Sequence, residues 1–337
     1  MKYGALIGCG YFAQNHLNAW QMIEDATIVA VCDIDKERAE AYAEQFGIES
    51  VYTNVHDLLE AESLDFVDIA TQAHTHLELV RTVAASNINI ICQKPLAPSL
   101  EDARALVAAS QNVTLMVHEN FRWQRPMILL KQAVSQLGDL FFGRIHFRSG
   151  HDVYTNQPYL ATDARFIIYD LGVHLFDLAR FFFGDAQTLT CHTQRVNPNI
   201  AAEDVATALL TMQSGAHVVV DMSYASKLEQ ELFPQTLIHL EGTLGSATLD
   251  ANYQLTVVTP VGTHYVDASP RAFDWTPEPV TAIPESVFNI QKHYIQCLKE
   301  EIRPDTSGED NLKTLELTFG AYYSAAEKAL IDMDKVV

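Results

Sequence analysis

The chain has 337 residues, too many for one ordinary domain and enough for two, each with its own core. Hydrophobic residues at 48% and charged residues at 19% are ordinary globular values, and a formal net charge of -21 argues against nucleic acid, which needs a basic face. No apolar run reaches the length of a membrane span and no signal segment precedes the first strand, so a cytoplasmic protein with no membrane partner is expected.

The first element is a strand over 3–7 that runs directly into Gly8-Cys9-Gly10-Tyr11-Phe12-Ala13, a G-x-G-x-x-A turn opening a helix. Gly8 permits the tight turn, Gly10 lets the backbone approach a pyrophosphate, and Ala13 lets the helix pack closely on the strand. The helix N-terminus then offers N–H groups and a positive dipole end to the phosphates. A second strand over 26–32 ends in Asp33, whose carboxylate suits both hydroxyls of an adenosine ribose. Strand, turn, helix and acid together point to a dinucleotide. NAD is expected ahead of NADP, because Asp33 would repel a 2′-phosphate and no arginine immediately follows it; Lys36 is the nearest cation along the chain.

Alternation continues with a helix over 36–45, a strand over 50–52, and a helix to 59 capped by Asn54. A strand over 66–70 precedes a helix carrying Leu77, Val80, Val83 and Ala84 at helical spacing. A strand over 88–92, a helix from the Ser99 cap to 109, and a strand over 113–117 complete the series. Repeated units of this length imply a parallel sheet with right-handed crossovers. Near Asn120 the pattern changes. A helix over 169–183 is accompanied by strands over 144–149, 188–196, 205–212, 216–224, 237–240 and 247–249, several of them alternating. They predict a mostly antiparallel, open sheet with one covered face. Two amphipathic helices, over 287–298 and 312–330, end the chain, and the proline-rich stretch 270–284 reads as a surface loop. The fold class is therefore α/β, with a dinucleotide-binding domain over 1–120 and a substrate-binding and oligomerisation domain over 121–337. On the strands over 205–212 and 216–224, Ala206, Ala208 and Leu210 or their alternates would form a bare face with few charges, which predicts a homo-oligomer, dimer or tetramer.

In an open parallel sheet, ligands sit beyond the carboxyl ends of the strands. Thr71, His74 and His76 leave the fourth strand there, and Gln93-Lys94-Pro95 leaves the fifth. Lys94 is placed to hydrogen-bond a reacting oxygen and stabilise negative charge. In the second domain Asp170 and His174 stand at i and i+4, where the carboxylate can orient the imidazole and stabilise its protonated form, as a general base requires. Gly172 between them leaves room for a ring or backbone to approach. His74 and His76 read as loop contacts near a nicotinamide rather than metal ligands, since zinc needs further convergent ligands. Tyr154 and Arg165 are candidates for a substrate pocket, or equally core or surface residues. The five cysteines, Cys9, Cys32, Cys92, Cys191 and Cys297, are odd in number with no C-x-x-C spacing, and read as reduced thiols.

The glycine turn, Asp33, 71–76, Gln93-Lys94-Pro95, Asp170-x-x-x-His174, Asn120-Phe121-Arg122 and Ser307-Gly308-Glu309-Asp310 occur in one order and spacing. As an ensemble they resemble the glucose–fructose oxidoreductase/inositol dehydrogenase (Gfo/Idh/MocA) family over nearly the whole chain. The resemblance implies a Rossmann domain followed by an α/β domain whose open sheet often forms the oligomer interface. It implies that Gly8, Gly10, Tyr11, Phe12, Ala13, Asp33, Thr71, His74, His76, Gln93, Lys94 and Asn120 contact the cofactor. Lys94, Arg122, Tyr154, Arg165, Asp170 and His174 would contact a sugar, polyol or related small molecule. Lys94, Asp170 and His174 take the catalytic roles: His174 removes the hydroxyl proton as hydride leaves the same carbon, Lys94 holds the oxygen, and Asp170 tunes the pair. Three positions depart from the family pattern. Gln93 stands where Glu is usual, with hydrogen-bonding capacity toward a ribose but no charge; Gln72 replaces a proline; and 164–169 is bulky where glycines are common. The same fold also serves non-catalytic dinucleotide-binding sensors and enzymes that use tightly held NAD for elimination or hydrolysis, and these are the two rival readings.

Overall fold

Short parallel strands and the helices between them occupy the first 120 residues of the computed structural model, which describes residues 1–231, 233–276 and 282–336. In chain order they are β1 Lys2–Ile7, α1 Ala13–Trp20, β2 Ala26–Cys32, α2 Lys36–Phe46, β3 Ser50–Tyr52, α3 Val55–Ala61, β4 Phe66–Ile69, α4 Ala73–Ala85, β5 Asn89–Gln93, α5 Leu100–Ala109 and β6 Leu115–His118. The strands pair in parallel in the order β3-β2-β1-β4-β5-β6. β4 and β6 are buried along their whole length, as in a parallel sheet covered by helices on both faces. Helix starts follow their caps. Asp35, Asn54 and Ser99 each accept a backbone N–H of the first turn, which satisfies one of the donors a helix end leaves unpaired.

The remaining elements are α6 Arg125–Val134, β7 Leu140–Arg148, α7 Val173–Phe183, β8 Ala186–Gln194, β9 Val205–Met212, β10 His217–Ser223, β11 Leu237–Gly242, β12 Gly245–Leu249, β13 Gln254–Thr259, β14 Gly262–Asp267, α8 Ala282–Glu300, α9 Gly308–Glu327 and β15 Ile331–Asp332. Nine strands form a second sheet in the order β14-β13-β12-β11-β7-β10-β9-β8-β15, antiparallel except where β7 meets β10. One face is packed. Ile145 and Phe147, Ala206, Ala208 and Leu210, and Val218, Val220 and Met222 join Leu175, Phe176, Leu178 and Phe182 of α7 in one apolar cluster.

Contacts divide the chain into two units, 1–120 with 286–312 and 121–285 with 313–337. The segment 286–312 folds with the first sheet because Tyr294 of α8 sets its ring edge-on to Phe66 at 5.8 Å and Thr306 pairs with Val117 of β6.

Several sequence expectations are corrected. Ala206, Ala208 and Leu210 belong to the packed face; their alternates Val205, Thr207, Leu209 and Thr211 turn outward. That outward face is not poor in charge, since Arg144 and Arg148 of β7 both grip Asp221 of β10, at 3.1 and 2.8 Å. Of the proline-rich stretch, 277–281 lies outside the described residues and 282–284 starts α8. The last helix stops at Glu327, and Ile331 and Asp332 pair with β8 instead of extending it. The helix α6 and the hairpin β13-β14 were not anticipated. β14 is exposed at nearly every position, so no apolar alternation marks it.

In the second unit a bidentate ion pair ties the turn before α6 to α7. Arg122 donates from Nε and Nη2 to Asp177 at 2.6 and 2.7 Å, and the Asp177 side chain is fully buried. Asp177→Ala should leave a guanidinium without its counter-charge and lower the unfolding free energy by about 3–5 kcal/mol in urea denaturation. A loss of only about 1 kcal/mol, the worth of a surface pair, would contradict this role.

Candidate active site

In the first unit strand order reverses between β1 and β4, the place where open α/β sheets bind ligands. The turn after β1 lies against the end of β4. Gly8 has φ +97°, and a Cβ on it would stand 2.7 Å from Thr71 Cγ2 and 3.0 Å from the Ala70 carbonyl. Only glycine fits there. Gly10 differs: a Cβ on it would meet nothing within 4 Å, so its backbone faces open space. Tyr42 of α2 donates to the Gly10 carbonyl at 2.9 Å and pins the turn from outside. Ala13 is fully buried, Tyr11 is 66% exposed, and half-buried Phe12 sets its ring edge-on to His16. The first turn of α1 carries neither an acidic residue nor a side-chain cap, which leaves its positive end for an anion.

Asp33 ends β2 nearly buried, with one carboxylate oxygen accepting Cys9 N–H at 2.7 Å and the other Asp35 N–H at 2.9 Å. A carboxylate has about four acceptor positions, so capacity remains for two ribose hydroxyls. The cation beside it is Arg38, 3.8 Å away and also bound to Asp35, while Lys36 pairs with Glu40. An open glycine backbone, an uncapped helix start and an anchored acid fit NAD. Burial, then the Asp33 charge, pushes the Cys9 thiol up to about 12, which makes it a packing group and not a nucleophile.

Other expected cofactor contacts are tied up by the protein. His76 is fully buried, with one ring nitrogen 3.1 Å from the Thr71 carbonyl and the other 3.0 Å from the Leu96 carbonyl. Burial holds its imidazole below the ordinary histidine range despite those two acceptors. These two bonds brace the segments around Thr71 and Leu96. His74 is exposed at the start of α4, and Thr71 shares a hydrogen bond with Thr75 at 2.7 Å. Asn120 is buried and donates to Ser286. The Gln93 side chain is turned inward, its Oε1 accepting Lys94 N–H at 2.7 Å and its Nε2 3.0 Å from His16 Nε2. Lys94 itself is half-buried at the end of β5. Among the described residues, no three His, Cys, Asp or Glu side chains form a group that could hold a metal ion.

In the second unit Asp170 and His174 occupy consecutive turns of one helix, with a π-helical turn over Ile168–Gly172 leading into α7. His174 is nearly buried, and its ring stacks on Phe121 at 3.9 Å with a 4° interplanar angle. Phe121 stands within the family pattern at the domain junction, without a site role assigned from the sequence. Gly172 is small for packing, not for a ligand: a Cβ there would stand 3.1 Å from Met222 Sδ of β10. Glu203 braces the approach to the helix by accepting the N–H groups of Phe166 and Ile168 and the Tyr322 hydroxyl. Burial, then the Asp170 charge, pushes the Tyr159 and Tyr224 hydroxyls above their ordinary range. Tyr154 tilts against Phe166, and Arg165 lies over Tyr169 and Phe319. Arg122 is committed to Asp177.

Comparison with known proteins decides which family these features belong to. Residues 3–121 match the model of an oxidoreductase family with an NAD-binding Rossmann fold, and 129–248 match the GFO/IDH/MocA C-terminal domain. The chain belongs to the GFO/IDH/MocA family. It is 50% identical over 334 residues to a D-apiose dehydrogenase of Paraburkholderia graminis, covering 98% of this chain and 89% of that one. A D-apiose dehydrogenase of Rhizobium rhizogenes is 48% identical, covering 98% and 97%. An oxidoreductase from Agrobacterium radiobacter, solved in complex with NAD+, L-tartaric acid and magnesium, superposes with a TM-score of 0.98 at 48% identity, over 100% and 99% of the two chains. This GFO/IDH/MocA protein is accordingly an NAD(P)-dependent oxidoreductase that moves hydride between a nicotinamide cofactor and a hydroxyl or carbonyl of a sugar, polyol or related small molecule. Among the described residues no helix is long and apolar enough to cross a membrane.

The two glycines should separate folding from binding. Gly8→Ala forces a side chain into positive φ against Thr71 and should destabilise the fold by about 1–3 kcal/mol. Gly10→Ala should leave thermal stability unchanged while weakening NAD binding measured by calorimetry. Equal effects of both on stability would show that Gly10 also serves the fold.

Proposed function

We propose that the protein is a D-apiose dehydrogenase using NAD. The observation that carries this reading is identity of about half with two D-apiose dehydrogenases over 98% of the chain. NAD supplies, when bound, the acceptor for the hydride released from the sugar carbon. The chain's own groups do the rest. His174 takes the hydroxyl proton, and Asp170 stabilises the imidazolium that results. Lys94 donates a hydrogen bond to the reacting oxygen and stabilises the charge that develops on it. In the reverse direction His174 is the acid. Residues 1–120 carry the cofactor functions and 121–337 those of the substrate. Five thiols, all buried and free, support a reducing, cytoplasmic setting.

Purified protein should reduce NAD with D-apiose and turn over myo-inositol far less well. His174→Ala should lower kcat by about 10²–10⁴-fold while NAD binding persists. Wild-type turnover by that variant would remove His174 from the mechanism.

NAD should be preferred over NADP in kcat/KM, since Arg38 is held by two carboxylates and Asp33 repels a 2′-phosphate. Asp33→Ser should narrow the gap. A clear preference for NADP would count against the assignment of Asp33 to the ribose.

We also propose a homo-oligomer, dimer or tetramer, formed on the outward face of the second sheet. Supporting it are the exposed strands with Leu209 at 47% exposure, beside the Arg144-Asp221-Arg148 cluster. Light scattering at micromolar concentration should give a multiple of 37.6 kDa; that mass itself would rule the assembly out.

A further inference from the structure

A chain of hydrogen bonds runs through the core of the first unit and ends on the backbone of Lys94. Trp20 Nε1 donates to Asp68 Oδ2 at 2.7 Å, and His16 Nδ1 lies 2.8 Å from the same oxygen. His16 Nε2 is 3.0 Å from Gln93 Nε2, and Gln93 Oε1 is 2.7 Å from Lys94 N. Asp68 and His16 are fully buried, and Gln93 is 8% exposed.

Each bond in this chain has only one direction. The Lys94 N–H can only donate, so the Gln93 atom facing it is the oxygen and the amide cannot be flipped. The Gln93 NH2 group must then donate, so His16 Nε2 accepts. With its lone pair used at Nε2, His16 carries its proton on Nδ1 and donates to Asp68. A neutral imidazole meets both demands, and glutamine is the residue that lets it. A glutamate at position 93 would require a proton on His16 Nε2, by a change of tautomer or a second proton on the ring. The stack of His16 on the His118 ring, with centroids 4.2 Å apart, fixes the imidazole plane.

We propose that Asp68, His16 and Gln93 are positioning residues for Lys94: the buried carboxylate orients the imidazole, the imidazole orients the Gln93 amide, and the amide fixes the backbone from which the Lys94 side chain leaves β5. The inference rests on the role given to Lys94 above. It explains how one half-buried lysine at a strand end is aimed without an ion pair in the chain of bonds behind it. Substrate specificity plays no part in it.

The test is a double-mutant cycle on Gln93→Met and Lys94→Met, read as kcat with NAD and D-apiose and as NAD affinity by calorimetry. Gln93→Met keeps the shape and removes both hydrogen bonds. It should lower kcat by roughly 10-fold or more with NAD affinity and KM little changed, since small misplacements of a catalytic group cost up to about 10²-fold. In the Lys94→Met background the same change should have no further effect. His16→Asn, which keeps a donor for Asp68 and withdraws the acceptor from Gln93, should show the same pattern. A readout without substrate accompanies it: in crystal structures the Lys94 backbone of Gln93→Met should shift relative to the rest of β5. Full kcat in Lys94→Met would overturn the catalytic role of Lys94 and the positioning role with it. Losses that multiply in the double variant, or an unmoved Lys94 backbone, would overturn the positioning role alone.

Discussion

Strand order reverses between β1 and β4, and at that reversal the backbone must pass within contact distance of itself. A residue without a Cβ is required at Gly8, where positive φ and the neighbouring Thr71 leave no room for one. The turn that results puts Gly10 in open space, starts α1 with its N–H groups outward, and sets Cys9 N–H against Asp33. One steric constraint thus sets the glycine turn, the start of α1 and the position of Asp33 together.

The chain is strongly acidic, and its buried carboxylates show how that charge is managed. Asp33 takes two backbone N–H groups, Asp68 takes indole and imidazole, Asp177 takes Arg122, and Asp221 takes two arginines. Each buried acid is met by donors, as desolvation demands. Most of these serve the fold. Two differ in where they lead: Asp33 keeps acceptor capacity beyond its two N–H donors, and Asp68 begins the chain of hydrogen bonds that ends on the Lys94 backbone. Asp170 is different in kind: its charge adds to burial in pushing the Tyr159 and Tyr224 hydroxyls above their ordinary range.

Legibility in the sequence followed locality. The boundaries of β2 and β3 and the caps Asn54 and Ser99 were readable because they depend on a few adjacent residues. The hairpin β13-β14 was not, since an exposed edge carries no apolar period. Motif residues were readable as motifs but their partners within the protein were not: His76, Gln93, Asn120 and Arg122 stand in the family pattern, and each bonds a residue distant along the chain. His16 and Asp68 left one faint signal, an acid inside an apolar parallel strand.

By itself the sequence determined the α/β class and the dinucleotide turn, because these rest on residue type and spacing over a few turns, and the motif ensemble carried the family and its reaction class. Tertiary structure alone decided which listed residues are open to a ligand and which brace the scaffold. It decided that Arg38 and not Lys36 lies beside Asp33, that Ala206, Ala208 and Leu210 face inward, and that 286–312 folds with the first sheet. The physical reason is the same throughout. A polar side chain's role depends on which donor or acceptor meets it, and that partner is set by packing between segments tens to hundreds of residues apart.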